Sequence, residues 1–169
     1  MRYILFLSLF ALTQNLFAKT VARVIEVQGN AFSFQGKSPE TLKYGSELFD
    51  MTDIMVEDGG ALSIVTTNDK LIHISGGSLV KMYNGLIELK NGYVWVDSNN
   101  NSKAIINTSN SIAYFSEGQF IYSFDNISGK TQILVLEGDV KFSNSLEPEL
   151  ATIVSSGHFS LVDQKYENG

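Results

Sequence analysis

The chain contains no cysteine, two prolines, two histidines and one tryptophan. The first absence excludes disulfides, thiol catalysis and thiolate-bound zinc. Two histidines leave little near-neutral acid–base capacity unless carboxylates or lysines are tuned to supply it. His73 lies in "LIHIS" between Ile72 and Ile74, and His158 follows Gly157 at the start of an apolar run. Neither has a spaced acid partner or ligand set, so both read as strand-face histidines. The acidic pairs Asp50/Asp53 and Glu57/Asp58 flank turn residues and lack the spacing of a calcium loop. No G-x-S-x-G elbow and no phosphate-cradling glycine run occurs. The expectation is a non-enzyme with no metal and no cofactor.

Basic charge is also scarce: 12 lysines and arginines stand against 18 aspartates and glutamates, a net charge of −6 at pH 7. A surface of that sign repels phosphate, so nucleic acid is not an expected partner. Long apolar runs are missing as well. The one at the start, in "MRYILFLSLFALTQNLFA", covers only Ile4 to Leu12, short of the roughly 20 residues a spanning helix needs. Arg2 before it, the polar break at Thr13–Asn15 and the small Ala18 after it give the layout of a secretory signal peptide. Residues 1–18 are therefore expected to be removed, leaving 19–169 as a single β domain in the periplasm or the medium. Leu16, three residues before the cut, is a less usual choice than alanine. Uncleaved, the segment would tether the protein to the membrane. Export without cysteine suits a bacterial envelope protein whose core needs no staples.

What the chain does have is alternation. "IELKNGYVWV", Ile87 to Val96, runs apolar–polar into Gly92 and then restarts. The same pattern returns in "LVLEGDVKF" around Gly138, and a looser version, "VIEVQGNAF", turns on Gly29. Period-two alternation marks half-buried strands, and a glycine between two such runs marks a tight turn or a bulge. Short strands are expected at Val21–Val27, Ala31–Phe34, Asp53–Val56, Ala61–Thr66, Leu71–Ile74, Leu79–Tyr83, Leu86–Lys90, Tyr93–Asp97, Ala104–Thr108, Ile112–Ser116, Phe120–Phe124, Thr131–Leu136, Val140–Ser143 and His158–Val162. Asn84–Gly85 and Asn91–Gly92 read as hairpin turns. Gly36–Lys43 and Asp97–Lys103 read as polar loops, the second as a mobile tip. Glu147–Ser156 fits a helix or a strand. The fold class is all-β: one domain of short antiparallel strands, as a jelly roll, a β-sandwich or a β-helix-like wrap.

The ordered motifs "VIEVQG", "LKYGSEL", "DIMVEDGGALSIV", "NDKLIHI", "LKNGYVWV", "INTSNSIAYF" and "VLEGDVKF" together resemble the FecR domain, a β-rich module of the bacterial envelope. Lys70 stands where that family usually has glycine, and Gly118–Gln119 replaces its glycine–threonine. Full-length FecR regulators carry a cytoplasmic segment that handles a sigma factor. Only Met1–Tyr3 precede the apolar run here, so the resemblance implies the periplasmic module alone, acting by binding.

Two aromatic stripes are candidate surfaces. Val94 and Val96 share one strand face, which puts Tyr93 and Trp95 on the other; Phe120, Tyr122 and Phe124 form the second stripe. Either stripe can be core in a two-layer fold. Trp95 is the sharper binding candidate, because its valine neighbours already supply a core face. The expected partner is an envelope protein or, alternatively, a cell-wall carbohydrate such as peptidoglycan recognised by Tyr93 and Trp95. Gly29, Gly92 and Gly138 are expected as structural turns.

Overall fold

The computed structural model describes residues 19–36 and 38–163. The predicted signal segment, 1–18, lies outside the described residues. Among the described residues the chain is all-β, with sixteen strands in one hydrogen-bonded network.

Strands β1 (Thr20–Gln28), β2 (Ala31–Phe34), β3 (Pro39–Thr41), β4 (Glu47–Phe49), β5 (Thr52–Val56), β6 (Ala61–Thr66), β7 (Lys70–Ser75) and β8 (Leu79–Tyr83) form the first half. The second half comprises β9 (Leu86–Ser98), β10 (Ala104–Asn107), β11 (Ser111–Phe115), β12 (Gly118–Asp125), β13 (Lys130–Glu137), β14 (Asp139–Asn144), β15 (Thr152–Ser155) and β16 (Phe159–Asp163). They pair as two ladders. The first runs β4-β1-β6-β7-β9-β12-β13-β16 and the second β3-β2-β5-β8-β9-β10-β11-β14-β15. Their inner faces meet in one core: Phe120 packs edge-on to Phe115, Tyr122 packs edge-on to Phe142, and Tyr122 hydrogen-bonds Ser111.

β9 belongs to both ladders. Leu86–Asn91 pair with β8, and Leu86–Glu88 with β10; Gly92–Ser98 pair with β12, and Val94–Ser98 also with β7. Asn91–Gly92 therefore lies inside one long strand, next to a bulge at Lys90, and is not the expected hairpin turn. A hairpin would pair the two halves with each other, whereas each half here has partners in a different ladder. The pairing with β8 slips where Leu79 faces Asn91 and Val80 faces Leu89, the extra residue that defines a bulge. Burial changes parity across it: Ile87 and Leu89 are buried before it, Val94 and Val96 after it. Strict alternation from Leu89 would have driven Tyr93 and Trp95 into the core.

The same event recurs at the other two glycines of the repeated pattern. Gly29 lies between β1 in the first ladder and β2 in the second, and Gly138 between β13 and β14. Gly29, Gly92 and Gly138 all have positive φ, +68°, +96° and +80°. The repeated unit marks where the chain crosses from one layer to the other.

Several expectations need correction. One strand pair is parallel, Leu86–Glu88 of β9 with Ile105–Asn107 of β10, so the arrangement is mixed and not purely antiparallel. The polar stretch Gly36–Lys43 contains β3, with Pro39 as its first residue on a sheet edge, where a missing N–H costs no ladder bond. β4 is a further short edge strand that the turn-like "LKYGSEL" concealed. Glu147–Ser156 resolves into a 3-10 turn at Pro148–Leu150 followed by β15.

The asparagine-rich segment 97–103 is tied down instead of forming a free tip. The anchor is Lys70, 1% exposed. Its Nζ donates to Ser98 Oγ at 2.6 Å, Asn100 Oδ1 at 2.7 Å, Asn100 O at 2.8 Å and Ser116 O. Asn100 Nδ2 in turn donates to Asn68 O at 2.9 Å. Burial lowers the Lys70 pKa, and the opposing pull of Glu117 and Asp69 does not cancel it.

Candidate functional site

Of the two aromatic stripes, the structure buries one and exposes the other. Phe120, Tyr122 and Phe124 lie in the core, whereas Tyr93 is 59% and Trp95 40% exposed. Burial raises the Tyr122 pKa, because ionising the phenol would strand a charge away from water. Its hydroxyl joins a buried hydroxyl–amide network. Ser111 Oγ lies 2.5 Å from Tyr122 Oη and 2.9 Å from Thr108 Oγ1; Thr131 Oγ1 lies 2.8 Å from Thr108 Oγ1 and donates to Asn110 Oδ1 at 2.6 Å.

Register decides what surrounds Trp95. Cross-strand pairing sets His73, Trp95, Ile121, Leu134 and Phe159 in one transverse row over β7, β9, β12, β13 and β16. Leu134 is 39% and Phe159 70% exposed, and Ile121 is half-buried. Leu136 and Leu161, two residues along from Leu134 and Phe159, are exposed on the same face. Directly opposed side chains stand about 5 Å apart, so the row is a continuous apolar stripe. It is the kind of surface that marks an interaction site.

His73 caps one end of the stripe. Its ring stacks on Trp95, with centroids 4.7 Å apart and planes inclined by 25°. Nδ1 lies 2.9 Å from Ser63 Oγ, and Ser63 Oγ donates to Glu26 Oε2 at 3.4 Å. The order is carboxylate–hydroxyl–imidazole. A nucleophilic triad instead needs the acid on the second ring nitrogen and a hydroxyl open to substrate, and Ser63 is only 6% exposed. The contacts that are present fix the imidazole against Trp95. His158 sits in the turn before β16, with Nδ1 3.1 Å from Ser156 O. Among the described residues no group of three or more His, Asp and Glu side chains is placed to hold a metal ion.

Beside Tyr93 a polar groove of about 620 Å³ opens between Asn91, Ser123, Asp125, Ser128, Lys130 and Gln132. Its rim is ordered by Asp125, whose Oδ2 accepts from Ser128 Oγ at 2.8 Å and whose Oδ1 accepts from Ile127 N–H at 2.9 Å. The Ser128 hydroxyl first, and then that amide, hold the Asp125 carboxyl below its ordinary pKa.

The outward face of the second ladder differs. Asp53, Lys81 and Glu88 lie opposite one another on β5, β8 and β9. Lys90 Nζ reaches Asp53 Oδ1 at 2.7 Å, and Lys81 Nζ approaches Asp53 Oδ2 at 3.8 Å. The Asp53 carboxylate raises the Lys90 pKa through that hydrogen bond. One ladder thus presents an ion-paired outer surface here and the other an apolar one.

Sequence reasoning placed Tyr93 and Trp95 together on the strand face opposite Val94 and Val96, left open whether that face was core, and missed Ile121, Leu134 and Phe159 as their neighbours. Alternation in "QFIYSFD" and "QILVLE" set Ile121 and Leu134 opposite the core residues; only the pairing register sets them beside Trp95. Gly29 and Gly138 lie between strands and Gly92 lies inside β9, all three at positive φ.

No family model matches the chain, and no curated protein matches it. Among solved structures the chain is similar to a candidate anti-sigma factor from Parabacteroides distasonis, determined at 2.50 Å and at 1.65 Å. Each alignment has a TM-score of 0.60 at 16% identity and covers 70% of this chain. This chain spans 57% of the length of that one, and the likeness is one of fold.

Proposed function

We propose that the protein is a non-catalytic, FecR-like binding module exported to the bacterial envelope. Its contact surface is the outer face of β9, β12 and β13, and its partner is another envelope protein. The observation that carries this reading is the transverse row Trp95–Ile121–Leu134–Phe159, unbroken across four adjacent strands on the solvent side. The fold likeness to a candidate anti-sigma factor supports a regulatory role exercised through binding. So does the contrast with the ion-paired patch on β5, β8 and β9 of the second ladder, since a solvated patch needs no partner and an apolar stripe gains from one.

Site-specific photocrosslinking in living cells tests it. A photoreactive residue at position 121 or 134 is expected to give one discrete adduct, absent when the probe is at position 81 and abolished by Trp95→Ala. Equal labelling from both faces, or no adduct from either, refutes the assignment. Fractionation of the same cells tests export, and recovery in the cytosol would overturn it.

The groove beside Tyr93 favours a second reading, a cell-wall carbohydrate. An exposed aromatic ring flanked by amides, hydroxyls and a carboxylate offers stacking and hydrogen bonds together. Co-sedimentation with purified cell wall, lost in Tyr93→Ala and retained in Ile121→Glu, would move the assignment to this ligand.

A further inference from the structure

We propose that Lys70 and Asn100 join in an intramolecular isopeptide bond, a covalent tie between β7 and the loop after β9 that the folded chain makes by itself. The reacting groups are already in contact, with Lys70 Nζ 2.7 Å from Asn100 Oδ1. The carboxamide carbon lies one C=O bond of about 1.23 Å beyond that oxygen, so Nζ stands within about 4 Å of it. Water has little access to the pair. Lys70 is 1% exposed, and its Nζ lies 5.8 Å from the centroid of the Phe115 ring, itself 4% exposed. Burial favours the free amine over the ammonium, against the pull of Glu117 and Asp69. A desolvated free amine is the nucleophilic form of lysine.

The Asn100 carboxamide is held from both ends. Its Nδ2 donates to Asn68 O at 2.9 Å and to Asp69 O at 3.4 Å. Its Oδ1 accepts from Ser102 N–H at 3.0 Å. Ser102 Oγ stands 2.5 Å from Oδ1 and 3.0 Å from Asn68 O, so Oδ1 is the nearer acceptor for its proton. These donors are aimed at the oxygen that gains negative charge when the amine adds, which is the arrangement of an oxyanion hole. In the reaction the Nζ lone pair forms a bond to Asn100 Cγ and the carbonyl π pair moves onto Oδ1. The intermediate then collapses by breaking the Cγ–Nδ2 bond. Nζ gives up two protons in all and the departing nitrogen takes up two, so the lysine ammonium is consumed and one ammonium ion is released. Ser98 Oγ, 2.6 Å from Nζ, is placed to relay them. Neither an oxidant nor a second substrate is required. One turnover per molecule suffices, and holding the two groups together supplies the effective concentration that such a step needs.

The product fits the same site. The new amide keeps one N–H, for Ser98 Oγ or Asn100 O, and Ser116 O retains Ser98 Oγ as its donor at 2.5 Å. The bond would link positions 30 residues apart, in a chain with no cysteine, and would constrain the unfolded state as a disulfide does.

Tryptic mapping of the unmodified full-length protein by tandem mass spectrometry tests the proposal directly. One branched peptide joining Lys70 to Asn100 is expected, lighter than its two parts by one ammonia, with no cleavage after Lys70. Lys70→Arg should show no such loss, and Asn100→Asp should lose water in place of ammonia. In timed cell-free synthesis Ser102→Ala should form the link at least tenfold more slowly, since one of the donors to Oδ1 is gone. Recovery of Lys70 and Asn100 in separate, unmodified peptides would overturn the proposal whatever the variants do. So would a loss of ammonia that persists in Lys70→Arg, which would place it in a succinimide between Asn100 and Asn101.

Discussion

Alanine at Gly92 isolates the cost of the corner on which β9 changes ladders. Two separate penalties act there. The backbone has φ +96°, a conformation that costs a side-chain-bearing residue about 1–3 kcal/mol. A Cβ would also overlap Ser78 Oγ and stand 2.8 Å from Ser78 Cα. Forced contacts of this kind cost roughly 1–3 kcal/mol when the neighbour cannot retreat. Ser78 cannot retreat freely, since its Oγ accepts from Tyr93 N–H at 3.0 Å and donates to Tyr93 O at 3.2 Å. The chain entropy that alanine removes from the unfolded state returns about 0.4–1 kcal/mol. The net expectation is a loss of about 2–4 kcal/mol.

The structure supplies its own controls. Gly85 has φ +82°, and a Cβ there would meet nothing within 4 Å, so Gly85→Ala reports backbone strain alone. Gly138 has φ +80°, and a Cβ there would meet Glu117 O at 3.0 Å and Gly118 Cα at 3.2 Å, an intermediate case. Urea unfolding with an unchanged m-value should rank the losses Gly92→Ala, then Gly138→Ala, then Gly85→Ala. Asparagine, which tolerates left-handed backbone better than other side chains, should be milder than valine at Gly138. It should give no relief at Gly92, where the collision begins at Cβ. If Gly92→Ala costs no more than Gly85→Ala, the close approach of Ser78 is not a constraint and the bulge does not depend on it.

Lys70→Met should lose about 2–4 kcal/mol in the same assay, because several buried oxygens on Ser98, Asn100 and Ser116 lose a charged donor together. Hydrogen exchange of segment 97–103 should rise with it. Thr131→Val should cost about 1–3 kcal/mol by leaving Asn110 Oδ1 and Thr108 short of a partner, and Tyr122→Phe about 0.5–1.5 kcal/mol, since Ser111 keeps Thr108. Lys90 has a folded pKa raised above 10.5 by Asp53; its contribution is complete below the unfolded value and lost as pH rises through the folded one. Replacing it by methionine should remove roughly 0.5–1 kcal/mol near neutrality and reduce the alkaline loss of stability, as read from urea midpoints across roughly pH 9–12.

Alternation was the legible part of this sequence, and its limits are physical. Twelve of the expected strands have counterparts within a residue or two because a half-buried strand writes its own inside and outside into its residues. β3 and β4 escaped because an edge strand of three residues buries too little to impose a pattern; all of Pro39–Thr41 is exposed. Lys70 escaped for the opposite reason. Its stem fits a position where alternation calls for an inward residue, but a lysine there reads as a break in the pattern until its four acceptors are placed around it. Those acceptors come from β9, the loop after it and the residue that follows β11, so no local window contains them.

The same distinction explains why the shared face of Tyr93 and Trp95 was readable while its exposure and the surface it belongs to were not. Face is a local property: Val94 and Val96 inward compel Tyr93 and Trp95 outward. Neighbourhood is a property of register, and here the register depends on the parity change at Gly92. Pull the bulge out and Trp95 faces the core, while Leu89 and Ile87 still demand to be buried on the other ladder. Both demands are met only if one residue is added between the two halves, and glycine at positive φ is the residue that permits it. The backbone irregularity that builds the corner of the fold is therefore also what turns the aromatic pair outward, into line with Ile121, Leu134 and Phe159. A variant that repaired the bulge would be expected to lose the stripe and the layer crossing together.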